Sequence, residues 1–138
     1  MLILIQSSFG QRDTIFINGV KFLTTKQAIK NEYAKKDTLF KLYALKNRKA
    51  EYLLKHYLYR YGVDAENEFK DIGTIQIQTD SIILKTHFFQ KGLDPIPEWR
   101  KRIYQVKASG KLILLFDKCK YKNSNKWIKT DISKRGFE

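Results

Sequence analysis

Asn18-Gly19 stands between two short runs rich in apolar and β-branched residues, Thr14-Ile15-Phe16-Ile17 and Val20-Lys21-Phe22-Leu23. Both turn residues tolerate positive φ, which a two-residue type I′ turn requires, so this segment predicts a β-hairpin. No other local signal in the chain constrains the backbone as tightly. The apolar run Met1 to Ser8 reads as a strand ahead of it.

The next stretch carries helix punctuation. Thr24 and Gln27 have the spacing of a capping box, which predicts a first helix running to about Lys36. Asp37 can cap a second helix that ends near Tyr61, with Gly62 as a left-handed stop. At 100° per residue Leu39, Tyr43, Ala50, Leu53, Leu54, Tyr57 and Tyr61 share one face of that helix. Lys46 falls inside the same face and Asn47 follows it, so a kink or break is expected there.

From Ile72 onward the pattern is β. Ile75 and Ile77 alternate with Gln76 and Gln78, and Thr79-Asp80 turns the chain into Ser81 to Phe89. Arg102 to Lys107 and Leu112 to Phe116 form a further hairpin through Ser109-Gly110. Leu112 to Phe116 is apolar on both faces and is expected mid-sheet and covered. Trp127 to Ile132 completes the series. The expected fold class is therefore α+β: an N-terminal strand and hairpin, two consecutive helices, then a mainly antiparallel β-rich C-terminal half. Residues 1–138 are read as one domain, with 118–138 a partly flexible basic tail.

Charge points to the partner. The chain carries 27 Lys and Arg against 14 Asp and Glu, a net +13 over 138 residues. A surplus of that size favours a polyanion. It is also segregated: residues 21–60 are net +8, 61–84 net −4 and 85–138 net +9. Apolar residues at 43% supply enough for a core and exclude a disordered polybasic tail. Met1-Leu2-Ile3-Leu4-Ile5 is too short for a signal-peptide core or a membrane span. With Cys119 as the single cysteine no intramolecular disulfide forms, so a cytoplasmic or other reducing compartment, such as an organelle matrix, is expected.

Three basic–aromatic constellations follow. On the expected second helix Lys41, Arg48 and Lys55 recur every seven residues, with Tyr52 and Tyr59 in the same stripe. Arg100-Lys101-Arg102 sits beside Trp99 and Tyr104. The tail interleaves Lys118, Lys120, Lys122, Lys126, Lys129, Lys134 and Arg135 with Tyr121 and Trp127. Cations can neutralise phosphates while exposed rings stack on unpaired bases. The leading expectation is a non-enzymatic nucleic-acid-binding protein, RNA favoured over DNA, working alone or with a protein partner in a nucleoprotein complex.

Two alternatives compete with it. A small metal-independent toxin-type ribonuclease would draw on His56, His87 and Asp117. A protein-binding inhibitor from a mobile element would occupy a nucleic-acid-handling partner. Glu68-Phe69-Lys70 is a weak nuclease-like pair, and Lys118 and Lys120 could lower the Cys119 pKa. No P-loop, dinucleotide fingerprint or zinc spacing is present, so neither metal nor cofactor is expected.

Overall fold

The computed structural model describes residues 11–64, 66–92 and 96–131. They form nine strands: β1 (Gln11–Ile17), β2 (Val20–Lys30), β3 (Lys36–Lys46), β4 (Lys49–Asp64), β5 (Asn67–Ile77), β6 (Ser81–Lys91), β7 (Trp99–Val106), β8 (Leu112–Lys120) and β9 (Ile128–Lys129). Each pairs antiparallel with the next, in the order of the sequence. The described residues contain no helix, so the fold class is all-β rather than α+β. The expected strand at Met1 to Ser8 lies outside the described residues.

The Asn18-Gly19 hairpin is present. Ile17 pairs with Val20, and the turn residues have φ of 51° and 72°. The anomaly at Lys46-Asn47, which the helical reading treats as a kink, is a second turn of this kind. Asn47 and Arg48 both have positive φ, 50° and 66°, and Lys46 pairs with Lys49 across them. The helix signals have other uses. Thr24 is buried in mid-strand and pairs with Leu42. Asp37 accepts a backbone N–H through Oδ1, but the donor is Tyr61 across the sheet, at 3.0 Å. Asn31 closes the β2–β3 turn: its Oδ1 accepts from Tyr33 N and Lys35 N, and its Nδ2 donates to Asp37 and to Tyr61 O. Gly62 stops nothing. It lies within β4 under the Phe69 ring, where a Cβ would come within 2.3 Å of Phe69 Cζ.

The sheet curls on itself. Asn18 N donates to Thr79 O at 2.7 Å, and Val106 N donates to Asp80 O at 2.8 Å. Asn18 Nδ2 reaches Val106 O at 3.0 Å. The β1–β2 turn is thereby tied to the β5–β6 turn and to the end of β7. Inside the curl Ile17, Phe22, Phe40, Leu42, Ile82, Leu84 and Val106 form the core. Each such side chain contributes about 1.5–3 kcal/mol through burial.

Leu112 to Phe116 is not covered on both faces. Leu114 and Leu115 are 50% and 60% exposed, and among the described residues β9 pairs with β8 only at Lys118 and Cys119. Among the described residues the apolar run is thus an edge strand, a position that favours pairing with other chains unless it is managed.

Candidate functional site

Alternation along the strands divides the polar residues of the C-terminal half between two faces. On the inner face, beyond the apolar core, lies a buried polar layer. Arg100 is 8% exposed and grips Asp117 bidentately, Nε to Oδ1 at 2.9 Å and Nη2 to Oδ2 at 2.8 Å. Thr130 Oγ1 donates to Asp117 Oδ1 at 2.7 Å. That uses the only Thr130 hydroxyl proton, so in the 3.4 Å contact between Cys119 Sγ and Thr130 Oγ1 the thiol is the donor. Burial raises the Asp117 pKa, but the hydrogen bonds from Arg100 and Thr130 outweigh it and hold the carboxyl below its ordinary range. Burial pushes the Cys119 thiol up, the opposite of the shift expected from Lys118 and Lys120, which project from the other face.

His56 belongs to this inner layer. It is 3% exposed, with Nδ1 at 3.0 Å from Arg102 Nη2 and Nε2 at 3.1 Å from Thr74 O. Burial first, and then the Arg102 charge, lowers its pKa to about 4. Burial also lowers the Arg102 pKa, helped by the neighbouring Arg100 charge. His87 points the other way. It stacks on Trp99 at 4.1 Å between ring centroids and lies 3.9 Å from Glu98. The two histidines therefore do not converge, and Asp117 is engaged inside by Arg100. Among the described residues no three His, Cys, Asp or Glu side chains gather as metal ligands.

The outer face of β5 to β9 carries a ladder. Lys85 pairs with Lys101, Lys101 with Lys118, and Lys118 with Lys129, so four lysines stand in one row across four adjacent strands. Lys46–Glu51, His87–Glu98 and Arg100–Asp117 form ion pairs, and none of these three involves the ladder. Like charges directly opposite one another destabilise a sheet. Aromatic rings border the row on both sides. Lys101 and Lys118 lie 5.9 Å and 5.5 Å from the Phe116 centroid, and Lys120 lies 5.5 Å from that of Trp127. The adjacent row runs His87, Trp99, Lys120.

Beyond that row the same face hollows into a cavity of about 830 Å³. Tyr59, Tyr61, His87 and Phe89 contribute its rings. Lys70 pairs with Phe89 and lies 5.1 Å from its centroid, and Lys35 lies 5.2 Å from that of Tyr61. Tyr61 Oη donates to Glu68 Oε2 at 2.5 Å, and this bond raises the Tyr61 pKa.

The sequence-derived constellations are thus rearranged. With no helix there is no helical stripe. Lys41 and Lys55 are nevertheless direct cross-strand partners on one face, while Arg48 sits in the β3–β4 turn. Tyr52 is 52% exposed with Lys41 5.9 Å from its centroid, and Tyr59 lines the hollow. In the triplet Lys101 faces outward, whereas Arg100 and Arg102 turn inward to Asp117 and His56. Lys120 joins the outer face, Lys122 reaches the hollow, and Lys126 is exposed in the β8–β9 connection, while Lys134 and Arg135 lie outside the described residues. Lys70, Lys85 and Phe89 escaped sequence reasoning. Their signal is the period-two alternation Lys85, His87, Phe89, which matches Trp99, Lys101 and Phe116, Lys118, Lys120 on neighbouring strands. No protein-family model, curated protein or solved structure matches this chain. No helix among the described residues is long and apolar enough to cross a membrane.

Proposed function

We propose that the protein binds single-stranded nucleic acid, RNA in particular, on the outer face of β5 to β9. The observation that carries this reading is the row Lys85, Lys101, Lys118, Lys129. Four like charges in register oppose one another across the sheet, and a polyphosphate backbone laid across the strands would neutralise them. Phe116, Trp99 and Trp127 border the lysines and offer faces for unpaired bases, which single-stranded RNA presents more readily than a duplex. The role is one of binding: the face carries His87, but the second histidine lies inside the curl.

The test is fluorescence anisotropy with a mixed-sequence oligoribonucleotide over a salt series, with the matching DNA strand and a duplex as comparisons. Four phosphate contacts predict a log K against log salt slope of about −3, from roughly −0.7 per contact on a single strand. The double substitution Lys101→Glu with Lys118→Glu should flatten that slope and weaken binding more than tenfold. Affinity that is insensitive to salt, or to this substitution, would overturn the proposal.

A further inference from the structure

We infer that the hollow beside the ladder receives one unstacked nucleobase together with its own phosphate. The inference rests on the function proposed above and names the part of the strand that this cavity takes. Register supplies the continuity. The rows on the outer face run Lys85–Lys101–Lys118, then His87–Trp99–Lys120, then Lys70–Phe89. Successive rows are two residues apart along each strand, about 7 Å. A backbone crossing the ladder therefore reaches the rim of the hollow within a nucleotide or two.

The cavity has the chemistry for such a group. Its volume, about 830 Å³, falls in the range of small-ligand clefts. Tyr59, Tyr61 and Phe89 supply ring faces. His87 is packed between Trp99, stacked at 4.1 Å between centroids, and Phe89, at 4.3 Å, so it buttresses the Phe89 ring rather than meeting the base itself. Lys35, Lys70, Lys91 and Lys122 line the same space, with Glu68 and Glu98 as the acids. Glu68 already accepts from Tyr61 and Glu98 faces His87, so cations are in surplus. A planar ring bearing an anion matches both halves of this lining. A bare phosphate would leave the rings unused, and an uncharged ring would leave the lysines unmatched.

Adenosine 5′-monophosphate, adenosine and ribose 5-phosphate, titrated separately against the full chain and followed by ligand-observed NMR, test the idea. The nucleotide should bind at least tenfold more tightly than either fragment. Phe89→Leu and Lys122→Glu, both at exposed positions, should each weaken it several-fold with thermal unfolding unchanged. Equal binding of ribose 5-phosphate, or nucleotide binding that neither substitution affects, would overturn the inference. The two proposals fail separately. If oligonucleotide binding responds to Lys101 and Lys118 but no nucleotide enters the hollow, the ladder stands and the base site falls. If the nucleotide binds and the oligonucleotide ignores the ladder, the converse holds.

Discussion

His56 Nδ1 lies 3.0 Å from Arg102 Nη2. A guanidinium can only donate, so Nδ1 is the acceptor and carries no proton. The proton is then on Nε2, which donates to Thr74 O at 3.1 Å. The ring bridges two strands where their ladder has lapsed, since the β4–β5 pairing begins at Tyr59 opposite Ile72. One imidazole thus supplies a hydrogen bond that the backbone does not, and gives a buried arginine an acceptor.

This bond fixes the pH response. The His56 pKa is lowered from 6.5 to about 4 by burial and by Arg102. The unfolded chain binds the proton more readily than the folded one, so stability is fully present above pH 6.5 and falls as the pH drops towards 4. The shift corresponds to a loss of about 3 kcal/mol. Urea unfolding at pH 7 and at pH 4.5 should show most of that difference. In His56→Gln the His56 component should vanish, leaving a shallower acid dependence from the carboxylates.

Gly73 makes this junction possible. A Cβ there would lie 2.0 Å from Tyr57 O and 2.7 Å from His56 Nε2. The first contact is backbone and cannot rotate away. Gly73→Ala should therefore destabilise by about 3 kcal/mol, at the upper end of overpacking costs. It should also displace the His56 ring from Thr74, visible as a change in the His56 imidazole NMR signals. A variant with wild-type stability would show that the β4–β5 junction relaxes freely.

The Arg100–Asp117 pair predicts an asymmetry. Removing the carboxylate in Asp117→Ala leaves a guanidinium that is 8% exposed without its bidentate partner, which should cost about 3–5 kcal/mol. Replacing both, Arg100→Met with Asp117→Leu, should cost clearly less than the single change, because no charge is then left buried. Chemical denaturation of the three proteins settles the order.

The β1–β2 hairpin and the β character after Ile72 are legible because their cues are local: a turn dipeptide and strict alternation. The stretch from Thr24 to Tyr61 is not, and the reason lies in the register. The β3–β4 pairing slips twice, between Thr38 and Leu39 and between Leu42 and Tyr43. At each slip the register skips one β4 residue, Leu58 or Leu53, which breaks the period-two pattern of β4, while Leu39 and Phe40 are buried on opposite faces of β3. Offset alternation of this kind produces apolar spacings of three and four, which imitate a helix face. The tyrosines of β4 and the Asn47-Arg48 turn argue for strands instead. The ladder is hidden for a related reason. Lys85, Lys101, Lys118 and Lys129 look unrelated along the chain, and only strand register aligns them.

That alignment leads to a prediction in which stability and binding move in opposite directions. Lys101 has a lysine on each side, Lys85 on β6 and Lys118 on β8. Cross-strand like-charge pairs each cost a few tenths to about 1 kcal/mol. Lys101→Gln keeps a polar side chain, one atom shorter, and removes the repulsion, so it should raise stability by up to about 1 kcal/mol at low salt. The gain should shrink at high salt as screening takes over the same task. RNA affinity should fall in the same variant, by the contribution of one phosphate contact. Measured together by thermal unfolding and by anisotropy across a salt series, the two effects distinguish a binding face from a decorative one. If Lys101→Gln lowers stability and leaves affinity unchanged, the lysine serves the sheet through its aliphatic stem against Phe116. If stability rises and affinity falls, the repulsion is retained because a polyanion relieves it.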